Sequence, residues 1–386
     1  MAVEIYNFSE LISLIIIFIL NFIIIIKLSK YFKLTTKEAL SLYMWHSIFA
    51  FLFLINDINH GHDASAWFTR GHIDKIGYIS NEFMYFFSVL LKEMKIKYLA
   101  QNVIFNSFGT IAIMIFYSTL KQLCKYKNNR DFFPIILILV LLPGLSFWSS
   151  GITKDVLSIF ALSTLYFSIK NKFNLNLFIF SIFVICLSRF FLIVFFIFGA
   201  YIFTLISVFF TNKISKNKKI IINISLLLFL IPTIYSLNIV SLFTNKIDPS
   251  LNIFNLIQQS YNYISSSQTY YSETFYGIPI DTNHFIRMLT FLYKPFIGDP
   301  VSLFSGYFIL ENIFLLTLTF VILLNIEFNS KNINNMTKIF YVSILLMFYF
   351  FSFSLSNFGI ALRYKWMIIP FLVLAFLDLR KTNLKH

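Results

Sequence analysis

Apolar runs long enough for a helix to cross a membrane recur along this chain. One extends from Leu11 to Ile26, and another, from Leu177 to Phe210, contains a single charged residue, Arg189. A spanning helix needs about 20 mostly apolar residues, whereas a membrane β-barrel would show alternating segments of about ten. Hydrophobic residues make up 58% of the 386 positions and charged residues only 12%. This balance excludes an ordinary soluble domain, and we predict an all-α, polytopic integral membrane protein.

Hydropathy predicts about eleven transmembrane helices in a single membrane domain that covers residues 1–386. They are expected near residues 11–27, 39–56, 99–119, 134–148, 155–169, 175–188, 190–210, 220–239, 302–325, 338–355 and 366–379. The apolar run Asn81–Leu91 is too short to cross, so we predict a helix lying in the membrane interface. Residues 241–300 form the one long hydrophilic segment, which predicts a large loop that is either functional or disordered.

The distribution of basic residues predicts the orientation of the chain. Six segments hold 19 of the 31 lysines and arginines, and we place them in the cytoplasm. They are residues 27–38, 120–133, 170–174, 211–219, 326–338 and the C-terminal tail. An odd number of spans then leaves the N-terminus outside, the C-terminus in the cytoplasm and the 241–300 loop extracytoplasmic. Should Asn81–Leu91 span the membrane after all, every later loop would change sides.

Lys154 and Asp155 follow a short predicted span that ends in Phe147-Trp148-Ser149-Ser150. The break at Gly151 and the hydroxyl of Thr153 predict that the next helix begins there, with its N-terminal amides facing outward. A helix N-terminus attracts anions, and Lys154 adds a positive charge. The alternative is an ordinary membrane interface at which Lys154 and Asp155 are solvated neighbours.

Three further cations fall on the face that should hold few. Arg189 is predicted at the turn between two short spans, and a deeper position would cost roughly 2.5–3.5 kcal/mol unless it faced a polar cavity or a partner. Arg363 and Lys365 lie in the segment 357–365, which we predict to connect two spans. An arginine can bind a phosphate through two parallel hydrogen bonds, and a lysine acts as a mobile point charge. The alternative is snorkelling to the headgroups for Arg189 and a simple anchoring role for Arg363 and Lys365.

Acidic residues and histidines cluster between Asp57 and His72. Loop spacing fixes no ligand geometry there, so we predict no metal site. Asp63 or Asp57 could serve as a catalytic carboxylate, because a carboxylate beside cations can accept the proton of a sugar hydroxyl. Glu311 falls inside a predicted span and should need a cationic partner, an arginine by expectation. The phosphate-binding motifs of nucleotide sites are absent from the sequence, which predicts no nucleotide or redox cofactor.

The whole architecture, with one large outer loop and outer-face cations, resembles the O-antigen polymerase type (Wzy-like) and related polymerases of bacterial envelope polysaccharides. At residue level the resemblance rests on four elements: Asp63 in Asp-Ala-Ser-Ala-Trp, the run from Trp148 to Asp155, Arg189, and the run from Asn357 to Lys365. Asp63 is also similar to the early outer-loop acid of C-superfamily membrane glycosyltransferases. The chain departs from them because it lacks an adjacent second acid and a sizeable soluble C-terminal domain.

The resemblance implies polymerisation of polyprenyl-diphosphate-linked repeat units, of the lipopolysaccharide O-antigen or capsule type, at the outer face of the bacterial inner membrane. It implies catalytic roles for Asp63, Arg189 and Arg363. Diphosphate and glycan binding is implied for Lys154, Asp155, Arg287, Lys294, Lys365, Tyr270 and Tyr271. The expected partners are the lipid-linked glycan, membrane lipids and a chain-length regulator. Nucleic acid is not expected, because the net charge of +14 is scattered over loops between spans.

Two other functions remain open from the sequence. A flippase for lipid-linked sugars would share the membrane architecture, although transporters tend to carry internal repeats and broken helices with midplane ions. A ligase or another membrane glycosyltransferase would use the same kind of donor, and the sequence does not separate it from a polymerase.

Overall fold

The computed structural model of the chain describes residues 8–61, 63–70, 81–126, 133–170, 173–210, 283–295, 303–324, 333–354 and 358–379. Every regular element among these residues is an α-helix. The chain packs into two compact units. The first comprises Met1–Ile193, Thr317–Thr337 and Trp366–His386, and the second comprises Val194–Leu316 and Lys338–Lys365. This division does not test the prediction of one membrane domain.

The helices are numbered here in chain order. They are α1 Phe8–Tyr31, α2 Thr36–His60, α3 Asp63–Arg70, α4 Asn81–Glu93, α5 Tyr98–Tyr126, α6 Phe133–Val140, α7 Pro143–Trp148, α8 Lys154–Lys170, α9 Leu175–Arg189, α10 Phe191–Phe210, α11 His284–Tyr293, α12 Leu303–Leu324, α13 Asn335–Ser354, α14 Phe358–Lys365 and α15 Ile369–Leu379.

Among the described residues, five apolar helical segments are long enough to cross a membrane, which is the pattern of a membrane-embedded protein. They are Leu11–Tyr31, Thr36–Asn59, Tyr98–Cys124, Asn335–Ser352 and Ile360–Leu379. The number eleven stays a prediction, because the predicted span at 220–239 and most of the 241–300 loop lie outside the described residues. The predicted short helix near Asn81–Leu91 is present as α4, which has 13 residues.

Two predicted segments differ from the observed helices. The predicted span at 134–148 is divided into α6 and α7, because Pro143 occupies the first turn of a new helix and cannot continue the preceding one. The segment 357–365, predicted to connect two spans, is helical from Phe358 onward as α14. Arg363 and Lys365 therefore lie on a helix, and an apolar helical segment continues from Ile360 to Leu379. Local hydropathy did not predict helix α14, because two cations and a glycine interrupt the apolar pattern of this segment.

Local capping explains where two helices of the first unit begin. Thr35 and Glu38 form a reciprocal capping box at the start of α2, which satisfies two backbone donors of the first turn. At the start of α8, the backbone N–H of Val156 donates to the Thr153 hydroxyl at 3.2 Å. The helix start that the sequence predicted at Thr153 is thus observed, with Thr153 as the cap.

Buried polar groups join α2, α5 and the end of α7. His46 is 1% exposed, and its ring nitrogens bond Asn106 Oδ1 and Ser149 Oγ, each at 2.8 Å. Asn106 in turn donates to the Ser47 hydroxyl at 2.9 Å. A buried histidine with both nitrogens bonded is a satisfied structural group. These side chains fix the end of α7 against α2 and α5, and with it the segment that leads into α8.

Gly109 allows α5 to approach this junction closely. A Cβ built on Gly109 would lie 1.7 Å from the Ser149 carbonyl oxygen, which is a backbone atom and cannot swing away. We expect Gly109→Ala to lower the free energy of unfolding by about 2–4 kcal/mol through this overlap.

The matched control is Gly61→Ala, whose Cβ would meet open space but whose φ of +68° is unfavourable for alanine. We expect it to cost only about 1–2 kcal/mol. Thermal unfolding of the two variants in detergent measures the difference. An equal loss in both would contradict the close approach of α5 to the end of α7.

In the second unit, aromatic contacts join α10, α11, α13 and α14. Phe196 packs against Phe340 with ring centroids 5.6 Å apart, and Phe291 packs against Phe348 at 6.0 Å. Tyr364 of α14 meets Phe351 edge to face at 4.8 Å. Such pairs add to the packing of buried surfaces. The helices that carry Arg287, Arg363 and Lys365 are therefore held in one packed unit.

Candidate functional site

In the first unit, Asp155 and Arg189 form a buried ion pair. Arg189 Nη2 donates to Asp155 Oδ1, and the two side chains are 0% and 6% exposed. Asp155 lies in the first turn of α8, and Arg189 ends α9. The family resemblance implied separate roles for these residues, catalysis for Arg189 and substrate binding for Asp155. The structure brings them together, because α8 and α9 pack against each other along their length.

Lys154, the neighbour of Asp155, extends toward α4. Its Nζ donates to Asn81 Oδ1 at 2.6 Å, in an exposed setting. Asn81 is the first residue of α4, and sequence reasoning did not single it out, because 73 positions separate it from Lys154. The start of α8 therefore presents a solvent-accessible ammonium next to a buried, charge-paired carboxylate.

The two aspartates considered as catalytic groups occupy different environments. Asp57 is fully buried near the end of α2 and accepts a hydrogen bond from the Tyr98 hydroxyl. Asp63 is exposed in the first turn of α3, where a negative charge suits the helix dipole. Of the two, Asp63 is the carboxylate that solvent reaches.

One hydrophobic cluster holds these elements together. It includes Phe53 of α2, Trp67 of α3, Met84 of α4, Phe147 of α7 and Val156 of α8, all buried. With Tyr98 and Phe105 of α5, the cluster contains residues from six helices, and it places the polar groups near it, Asp57, Asp63, Asn81 and Lys154, at one end of the first unit.

In the second unit, Lys365 is fully buried at the end of α14. Its ammonium donates to Asn312 Oδ1 at 2.5 Å, and Asn312 Nδ2 donates to the Pro295 carbonyl at 2.9 Å. Glu311, 4% exposed, interacts electrostatically with Lys365. The carboxylate inside the predicted span thus has the positive charge of Lys365 near it, and the arginine partner stays a prediction. Sequence reasoning missed Asn312 as a functional candidate.

Other predicted cations lie in the same unit. Arg287 is 2% exposed on α11, which packs against α14. Arg363 is half-buried on α14, and Lys294 is a half-buried residue that caps the end of α11. Tyr270 and Tyr271 lie outside the described residues.

Positive charge predominates among the described residues of this unit. Glu311 is the one carboxylate in its described part, whereas that part contains Arg287, Lys294, Lys338, Arg363 and Lys365. Two of these cations are almost completely buried. Cations thus outnumber carboxylates among the described residues of this unit, and such a balance attracts anions.

The part of the chain that the structure describes contains no group of three or more histidine, cysteine, aspartate or glutamate side chains that could hold a metal ion. The absence of a metal and of a cofactor from the reaction stays a prediction. No known family model, curated protein or solved structure matches the chain. Functional reasoning therefore rests on the residues themselves.

Proposed function

We propose that this protein is a glycosyltransferase-type polymerase that joins polyprenyl-diphosphate-linked oligosaccharide repeat units at the outer face of the bacterial inner membrane. The observation that carries the proposal is the excess of buried positive charge among the described residues of the second unit, represented by Arg287 and Lys365. A diphosphate carries the negative charge that such a region can stabilise, and it is the leaving group of this reaction.

The proposed step forms one bond and breaks another. The hydroxyl oxygen of one lipid-linked unit bonds to the anomeric carbon of the other unit's glycan, and the bond from that carbon to the diphosphate breaks. The diphosphate leaves on its polyprenyl carrier, and a carboxylate takes the hydroxyl proton. The resemblance implies Asp63 of the first unit for this role, and Asp63 is exposed. Cations that stabilise the developing charge of the leaving group accelerate the step most.

The first unit, taken by itself, also contains cationic groups. Lys154 presents an ammonium at the start of α8 next to Asn81, where helix amides also favour an anion. Arg189 is held by Asp155, so we assign it to shaping this end of α8 and to adding positive potential, with Asp155 fixing its position.

A second function is favoured by one observation. Lys365 lies within the apolar helical segment Ile360–Leu379 and interacts with Glu311 on another apolar helix. Ionisable pairs at such positions mark substrate or proton pathways in transporters. A flippase that moves lipid-linked sugars across the membrane is therefore the alternative.

Deletion of the gene in its host separates the candidates, with surface glycans resolved by size on a gel. If the protein is a polymerase, the deletion leaves glycans of a single repeat unit. If it is a flippase, the deletion leaves no surface glycan. A ligase deletion leaves full-length chains that are not attached to their final carrier. We expect single repeat units, and either of the other two patterns would contradict the proposal.

Complementation with Arg287→Gln tests the buried cation. Because removing one preorganised charge donor typically costs about 100-fold or more in rate, we expect this variant to leave mostly single repeat units. Lys338→Gln is the matched control, since Lys338 lies in the first turn of α13, about 16 Å along that helix from Tyr349, which contacts His284 of α11. The control should restore full-length glycan at equal membrane levels of protein. Full restoration by Arg287→Gln would remove it from the site.

A further inference from the structure

A cavity of about 540 Å³ lies in the first unit, at the end of α8 opposite Asp155. Its walls come from the ends of α1, α5 and α8 and the start of α9. The lining residues include Tyr31, Lys33, Gln122, Phe167, Ser168 and Asn174. About 20 Å of helix separates Ser168 from Asp155, so the cavity is distinct from the polar groups around Asp155.

The walls combine a cation, amides and aromatic rings. The rings of Tyr31 and Phe167 lie 5.7 Å apart between their centroids. Gln122 donates to the Ser118 hydroxyl at 3.0 Å, and Asn174 Oδ1 accepts from the Leu177 backbone N–H at 3.1 Å. These bonds hold both amides in place. A fixed amide wall beside an ammonium suits a phosphate group with polar substituents better than an apolar ligand.

Lys33 lies in the left-handed region of backbone conformation. Lys33 follows the end of α1 with a φ of +57°, and the Leu34 N–H donates to the Ser29 carbonyl at 2.9 Å. Glycine is the residue that this left-handed position at a helix end favours. A lysine here costs conformational free energy, and Lys95, away from the cavity, has the same backbone conformation. The role of Lys33 therefore rests on its place in the cavity wall.

Apolar surface adjoins the cavity on two sides. Ile23 and Ile24 of α1 and Leu175 and Ile179 of α9 are each between 43% and 57% exposed. Exposed apolar residues next to a polar cavity at helix ends can accommodate acyl chains beside a headgroup. Basic pockets between helix ends on the cytoplasmic side bind anionic headgroups, and the charge distribution of the sequence assigns the segments around Lys33, Gln122 and Asn174 to that side.

We infer that this cavity binds the phosphate headgroup of an anionic membrane lipid, with Lys33 as the cation that contacts the phosphate. The inference is independent of the proposed polymerase activity. It predicts that the full-length protein purified in detergent retains phosphatidylglycerol in preference to phosphatidylcholine, as measured by native mass spectrometry.

Lys33→Gly is the decisive variant, because it removes the charge and relieves the backbone at the same time. The chain offers a matched control in Lys95, which follows α4 with a φ of +63°. The Ile96 N–H there donates to the Leu91 carbonyl at 2.9 Å, so Lys95→Gly makes the same change in charge and backbone away from the cavity. We expect both variants to match or exceed the thermal stability of the wild type.

Binding of phosphatidylglycerol should distinguish the Lys33→Gly variant from the Lys95→Gly variant. We expect Lys33→Gly to weaken phosphatidylglycerol binding about five-fold, the scale of one lysine near an anionic membrane surface, and Lys95→Gly to leave it unchanged. An equal loss in both variants, or no loss in either, would overturn the inference. Adding inorganic phosphate tests whether the cavity binds free phosphate in place of the phosphate of a lipid headgroup. Phosphate binding that depends on Lys33, without a preference for phosphatidylglycerol, would overturn the lipid assignment and leave a site for free phosphate.

Discussion

An Asp155→Leu variant is expected to lose about 3–5 kcal/mol of unfolding free energy, because it leaves the Arg189 guanidinium buried without its carboxylate. Arg189 is only 6% exposed, so water cannot replace the lost partner. The Arg189→Leu variant should lose a similar amount for the reverse reason. Chemical denaturation of the purified protein in detergent measures both losses.

The double variant Asp155→Leu/Arg189→Leu completes the cycle. We expect it to recover much of the stability, since replacing a buried ion pair by apolar residues is often close to neutral. The Lys170–Asp378 pair at the other end of α8 provides the control, with Lys170 21% exposed. Lys170→Met should cost less than Asp155→Leu, because solvent can reach that pair. Additive losses in the Asp155 and Arg189 cycle would contradict a direct pair.

The double variant also separates two roles of Arg189. A stable double variant that supports no polymerisation would assign Arg189 to the site as well as to the fold. A stable double variant with full activity would leave Arg189 a purely structural residue.

Much of the helix arrangement could be predicted from local sequence. Arg189 ends α9 where the apolar pattern is interrupted, and Thr153 caps α8, because hydropathy and capping depend on residues that are near in sequence. The division at Pro143 and the helical state of α14 were missed. Hydropathy predicted one span at 134–148, but Pro143 begins a new helix there. It also predicted a connecting segment at 357–365, but the cations of that segment lie on a helix.

The partners within the candidate site could not be predicted in this way. Asp155 and Arg189 are 34 positions apart, and Lys365 and Asn312 are 53 apart. No periodicity links such residues, since their contacts depend on which helices pack together. Sequence does identify the exceptional charges, because an ionisable residue in an apolar run is costly unless it is used or paired. Only the contacts seen in the structure show whether such a charge is paired with another residue or is available to a ligand.

Lys365→Met is expected to reduce glycan polymerisation by about 100-fold or more, since it removes a buried positive charge from the proposed diphosphate site. Methionine has a similar length, so the packing at the end of α14 should be kept. Asn312 loses one donor and the buried Glu311 loses the positive charge near it, so we expect the unfolding free energy to fall by about 3–5 kcal/mol, and polymerisation is compared at equal membrane levels of protein. Glycan length in complemented deletion cells and thermal unfolding in detergent measure the two effects.

A second substitution, at Glu311, separates two possible roles of Lys365, charge balance and diphosphate binding. If Lys365 serves mainly to neutralise Glu311, the double variant Lys365→Met/Glu311→Gln should restore activity, because it removes both charges of the interacting pair. Under the proposed function the double variant stays inactive, since the diphosphate still lacks its cation. The control is Lys338→Met, which replaces a lysine in the first turn of α13 in the same unit. This variant should retain full activity. Restored polymerisation in the double variant would therefore assign Lys365 to charge balance and remove it from the substrate site.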